Sequence, residues 1–85
     1  MADVVTKEVL VRVMFESRQA SLLVQSATRF ECKLSIQVGN KIANAKSILG
    51  IINLCVAEGT LVSIIADGPD ERQAVLVLEQ YLTRV

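Results

Sequence analysis

Three residues of this 85-residue chain have types and positions that invite chemistry: Ser47, Glu16 and Arg18. Ser47 stands directly before the apolar run 48–56, where its hydroxyl can cap a helix by accepting a backbone N–H. A phosphate added there would bring roughly −1.5 to −2 charges to the place where unsatisfied helix-terminal N–H groups can receive them. Glu16 lies at the start of an earlier helical pattern, where an anion is favoured by the same exposed donors, and Arg18 follows two residues later. The chain has no histidine, so the commonest general base and the commonest neutral metal ligand are both missing. Cys32 and Cys55 fall on the apolar sides of their predicted elements with no histidine beside them. Both read as buried, reduced thiols, with no disulfide, metal or cofactor expected.

The elements that must hold these residues follow from a change in hydrophobic period. Val9, Val11 and Val13 alternate with Glu8, Leu10 and Arg12, predicting a strand over about 4–13. Ala20, Leu23, Ala27 and Phe30 then recur three or four apart, predicting a helix over about 17–29. Cys32, Leu34, Ile36 and Val38 alternate with polar residues into Gly39-Asn40, a hairpin turn whose return strand covers about 41–45. The second helix, begun at Ser47, is expected to run to Val56 and to close at Glu58-Gly59. Residues 60–66 are rich enough in Val and Ile for a fourth strand. After the turn Asp67-Gly68-Pro69, Asp70 is expected to cap a third helix with Gln73 reaching back. Ala74, Leu78, Tyr81, Leu82 and Val85 form that helix's apolar stripe.

The order is β-α-β-β-α-β-α in a single domain, since 85 residues leave too little apolar surface for a second core. One-sided alternation predicts an α+β fold: a four-stranded antiparallel sheet with three helices on one face, an open-faced sandwich. Hydrophobic residues make up 52% of the chain and aromatics only 4%, so the core is aliphatic. Nine basic residues balance nine acidic ones, which gives no field for direct nucleic-acid or membrane-surface binding. No apolar run approaches the length of a membrane span, and the first residues lack the pattern of a secretory signal. The chain reads as cytoplasmic.

The run Asn44-Ala45-Lys46-Ser47-Ile48-Leu49-Gly50-Ile51, followed by Ala57-Glu58-Gly59-Thr60 and by Asp67-Gly68-Pro69-Asp70-Glu71, closely resembles the HPr family. HPr proteins are the small phosphocarriers of the bacterial sugar phosphotransferase system. Arg18-Gln19-Ala20 and Leu22-Leu23-Val24-Gln25 resemble the family's active-site helix, at a spacing to Ser47 that needs no insertion. The likeness covers nearly the whole chain and implies the same open-faced sandwich. It fails at the active-site motif, where Met14-Phe15-Glu16-Ser17-Arg18-Gln19 replaces Gly-aliphatic-His-Ala/Thr-Arg-Pro and Glu16 stands in the histidine's place.

The resemblance therefore implies a protein that is not a phosphohistidine carrier and not an enzyme. In the family the serine at Ser47 is phosphorylated by HPr kinase/phosphorylase as a regulatory signal. The family's catabolite-repression branch likewise lacks the histidine and keeps the serine. By that likeness the phosphorylated form would bind a LacI-type transcriptional regulator, with Arg18, Lys46, Ile48, Leu49, Ile51 and Ile52 as partner-binding residues. Glu16 admits three readings: an acyl-phosphate acceptor, an imperfect mimic of phosphohistidine, or a polar residue tolerated at a helix start. The competing functional reading is a degenerate interaction or assembly module that is never phosphorylated. A mean hydropathy of +0.46 is compatible with a homodimer.

Overall fold

Alternation builds the sheet. Along the strand Leu61–Asp67, the side chains of Val62, Ile64 and Ala66 are sealed while Leu61, Ser63, Ile65 and Asp67 turn the other way, because successive strand side chains point to opposite faces. The same rule buries Leu34 and Ile36 of Lys33–Val38 and Val9 of Val4–Leu10. A computed structural model describes residues 4–84. In chain order the elements are β1 (Val4–Leu10), α1 (Ser17–Ala27), β2 (Lys33–Val38), β3 (Lys41–Asn44), α2 (Ile48–Asn53), β4 (Leu61–Asp67) and α3 (Glu71–Thr83). The sheet is antiparallel throughout, in the order β1-β4-β2-β3. β4 is thus the strand that joins β1, through pairs such as Val9↔Val62, to β2, through pairs such as Ile36↔Ile64.

Three helices cover the buried face. α1 contributes Ala20, Leu23 and Ala27, α2 contributes Ile51, and α3 contributes Ala74, Val75, Leu78 and Leu82. The alanines carry little bulk, and their complete burial lets the helices sit close to the strands. Between α1 and α3 the Ser26 hydroxyl donates to the Tyr81 hydroxyl at 2.7 Å. Between β1 and α3, Lys7 pairs with Glu79 at 2.8 Å, a half-exposed contact of about 1 kcal/mol at most.

The element order and the one-sided sheet match expectation, and the differences have local causes. β1 ends at Leu10 because its partner β4 begins at Leu61, opposite Leu10. Val11 still bonds Thr60 and Gly59, but the Arg12 amide donates to the Leu82 carbonyl at the end of α3. α1 stops at Ala27, and its last turn tightens as Arg29 and Phe30 donate to the carbonyls three residues back. α2 is only six residues long, and the chain leaves it at Cys55, whose φ of 58° is left-handed. Gly59, φ 89°, shapes the later turn into β4 and does not close the helix. Val85, assigned to the stripe of α3, lies outside the described residues.

Asp70 is the clearest departure. It occupies the N-cap of α3, but its side chain makes no cap bond. Its carboxylate turns instead to the start of β2 and accepts the Glu31 and Cys32 amides at 2.9 and 3.0 Å. The expected bond from Gln73 gives way to one from Glu71, whose carboxylate accepts the Gly68 amide at 3.1 Å. The clamp brings Gly68 so close to Cys32 that a Cβ on Gly68 would lie 2.5 Å from the Cys32 Cα. The φ of Gly68 is +152° as well. The Glu31 amide chiefly, with the Cys32 thiol and amide, holds the Asp70 carboxyl below the usual carboxylate range.

Gly68→Ala is expected to cost about 2 kcal/mol or more, since strain and overlap combine. Gly39→Ala, at φ +60° with nothing within 4 Å of the new atom, should cost only about 1 kcal/mol. Urea unfolding of the two variants measures the contrast. Because the Asp70 carboxyl is depressed in the folded state, its stabilisation is present above the ordinary value of 3.8 and is lost as pH falls through the folded value. The stability gap between wild type and Asp70→Asn should therefore be widest near neutrality and close in acid, as denaturant midpoints measured across that range would show.

Candidate functional site

The residues from Asn44 to Gly50 form a tight corner in which each side chain has a distinct task. Ala45 is sealed in the core, and its amide continues the sheet by donating to the Leu34 carbonyl at 2.9 Å. The Asn44 side chain accepts the Lys46 amide at 2.9 Å, and its carbonyl accepts the Ser47 amide at 3.0 Å. This corner points Ser47 into α2. Ser47 has extended backbone angles, φ −113° and ψ 114°, and its Oγ accepts the Gly50 amide at 3.1 Å. A Cβ on Gly50 would press against Ser47 Oγ at 3.3 Å and would reach the Ala43 Cβ at 3.6 Å. The small residue thus keeps room around the hydroxyl.

Ser47 is half-buried and opens onto a recess of about 500 Å³ whose walls include Lys41, Asn44 and Asn53. The hydroxyl is therefore reachable while it caps the helix. The adjoining face of α2 is apolar and open, with Leu49 at 69% exposure and Ile48 and Ile52 also outside. Ile51, assigned by sequence to the same contact surface, is 1% exposed and belongs to the core, because a six-residue helix on a sheet must turn at least one side inward. Lys46, given a partner role as well, spends its ammonium on the Phe30 carbonyl at 2.7 Å, tying the end of α1 to the corner before α2.

Glu16 sits at the other end of α2. It is the N-cap of α1 and is exposed; its amide donates to Gln19 Oε1 at 3.1 Å, and its carbonyl accepts the Ala20 amide at 2.9 Å. With Phe15, Ala20, Ile52, Cys55 and Val56 it lines a shallow recess of about 100 Å³. Ser47 and Glu16 consequently flank opposite ends of α2, with the open aliphatic face between them. Arg18, in the first turn of α1, is exposed. Met14, in the preceding loop, is 66% exposed. Among the described residues no group of His, Cys, Asp and Glu is placed to hold a metal ion, and no helix is long and apolar enough to cross a membrane.

Of the two thiols, Cys32 matches expectation and Cys55 departs from it. Cys32 is buried, and burial first, with the Asp70 carboxylate second, pushes its thiol up to about 11. Cys55 is exposed at the left-handed turn that ends α2, its Sγ directed to the Asn53 carbonyl at 3.6 Å. The sequence carries no signal for this turn, because glycine or asparagine is the usual residue in that conformation.

A four-stranded antiparallel sheet with three helices on one face, in the order β-α-β-β-α-β-α, defines the open-faced sandwich class of small α+β proteins. The family described as "PTS HPr component phosphorylation site" matches residues 6–84. This chain belongs to the HPr family. It is 40% identical over 75 residues to the HPr-like protein Crh of Bacillus subtilis (strain 168), covering 88% of each chain. The phosphocarrier protein HPr of Bacillus anthracis superposes with a TM-score of 0.91 at 35% identity, over 94% of this chain and 98% of that one. A crystal structure of Bacillus subtilis Crh, described as a swapped dimer, gives 0.76 at 39% identity, over 87% and 85% of the two chains. The chain is thus an HPr-like protein similar to the Crh type.

A colourless thiol-exchange reagent at mildly alkaline pH should react promptly with Cys55 and with Cys32 only on unfolding. The fast phase, followed by absorbance, should vanish in Cys55→Ser.

Proposed function

We propose that this protein is a regulatory HPr-family member, phosphorylated on Ser47 by an HPr kinase/phosphorylase in the cytoplasm and read in that form by a LacI-type transcriptional regulator. The observation that carries the reading is the Ser47 hydroxyl, reachable at the mouth of α2 and bordered by the exposed Ile48 and Leu49. Phosphate on Oγ would face the free amides of the first turn of α2, so the negative charge can be received without unfolding the cap. The aliphatic strip gives an enzyme or regulator apolar area to bury, and the charge at its border gives that partner a signal to discriminate. Arg18 is available to an acidic partner surface. Similarity to Crh supports the regulatory branch over the phosphocarrier branch.

Glu16 is best read as a polar helix cap. A carboxylate could take a phosphoryl group only as a reactive acyl phosphate, and Glu16 lines a recess whose other named walls are mostly apolar. The protein is therefore a substrate and a ligand in this scheme, with no catalytic residue of its own. A homodimer is compatible with it, and a crystal structure of Bacillus subtilis Crh is described as a swapped dimer.

The test is to incubate the protein with ATP and an HPr kinase, and separately with phosphoenolpyruvate and enzyme I of the phosphotransferase system, and to weigh it by mass spectrometry. One phosphoryl group is expected from the kinase and none from enzyme I. The kinase product should be absent in Ser47→Asn, a variant that keeps a cap oxygen and so keeps the fold. No addition under either condition would favour the unphosphorylated interaction module.

A further inference from the structure

A recess of about 360 Å³ at the open end of the β2–β3 hairpin is walled by Lys33, Ser35, Ile42, Asn44 and Lys46, the rest of its lining being aliphatic. The register that sets Ser35 against Asn44 continues one step through the Ala45 amide, which donates to the Leu34 carbonyl, and so places Lys33 across from Lys46. Like charges opposite one another on neighbouring strands repel. The Lys46 ammonium is held by the Phe30 carbonyl at 2.7 Å, a bond that uses one of its three N–H donors and none of its charge. Lys33 is exposed. Among the described residues the ion pair formed is Lys7 with Glu79, so neither lysine of the recess is neutralised by a carboxylate.

The other polar walls add donors. Asn44 Oδ1 is committed to the Lys46 amide, which leaves its NH2 group for a ligand, and the Ser35 hydroxyl can donate beside it. Two acidic residues stand near without lining the recess: Asp67 faces Lys33 from the β4 side, and Glu31 lies two residues before Lys33. A monocarboxylate would answer one ammonium only. A phosphate dianion answers both, and its three oxygens can accept from the hydroxyl and the amide as well. Ile42, 63% exposed, offers apolar surface at the same place. We propose that this recess binds a small organic phosphate, with the phosphate group between the Lys33 and Lys46 ammoniums and the carbon portion against Ile42.

Asn44 also lines the recess onto which Ser47 opens, so the two recesses share a wall. A negative charge on one side of that wall raises the cost of another on the far side. The bound phosphate therefore opposes a charge at Ser47, by whatever means that charge arrives. The site itself stands without the reading of Ser47 given above.

Two-dimensional amide NMR tests the site, with phenyl phosphate, inorganic phosphate and sodium chloride added in turn at matched ionic strength and about pH 7.5, where the phosphate group is mostly dianionic. Phenyl phosphate should shift the amides of residues 33–35 and 42–46 saturably, with a dissociation constant of roughly 1 mM at low salt. Lys33→Gln should weaken this binding by roughly tenfold, whereas Arg84→Gln, at the C-cap of α3, should leave it unchanged. Ile42→Ala should weaken phenyl phosphate and spare inorganic phosphate. Ser47→Asp should weaken binding by roughly threefold, and Ser47→Asn should not. Phosphates that act no more strongly than chloride, shifts centred on the first turn of α2, or indifference to Lys33→Gln would each overturn the proposal. Equal affinity for the two phosphates would overturn the assignment to an organic ligand. Equal binding by Ser47→Asp and Ser47→Asn would overturn the opposition to charge at Ser47 and leave the site standing.

Discussion

The fold depends on the two-sidedness of β4. Its Val62, Ile64 and Ala66 are completely sealed, and it is the strand that joins β1 to the β2–β3 hairpin. A residue inserted into or removed from β4 would exchange its inner and outer side chains on both neighbours at once. All three helices cover the inner side, which leaves Leu10, Leu61 and Ile42 of the strands exposed. The same constraint decides how α2 is used. A short helix laid on an aliphatic sheet buries Ile51 and must present its other large side chains to the exterior.

Much of this was legible in the sequence, because it follows from periodicity and local capping. The alternation of Val62, Ile64 and Ala66 and the three-and-four spacing of Ala20, Leu23 and Ala27 suffice to give the element order and the one-sided core. Ser47 was legible as a cap for a similar reason: its donor, the Gly50 amide, is only three residues away. What escaped depends on partners distant in the chain. Asp70 has the right type and position to cap its own helix, yet the amides of Glu31 and Cys32 claim its carboxylate from 39 and 38 residues away. Lys46 looks like a free surface cation until the Phe30 carbonyl, 16 residues earlier, takes its ammonium.

The division among the residues from Ile48 to Ile52 escaped for another reason. The run is apolar at every position except Gly50, so hydropathy has no contrast by which to tell Ile51 from its neighbours. The helix's short length decides the matter, and that length is set by Cys55, whose left-handed backbone is unusual for a residue with a side chain. Within the candidate site, the sequence therefore identified the helix and the hydroxyl that caps it. It could not identify which flanking side chains remain available.

The uncharged stretch along α2 has a consequence for how its recognition could be tuned. With no carboxylate, amine or guanidinium between Ser47 and Ala57, the strip itself offers ions nothing to screen and mild acid nothing to neutralise. Binding through it would hold nearly constant across the ordinary swings of a cell's internal salt. Adjustment is left to its margins, where a covalent change at a single oxygen could alter the local potential at a stroke.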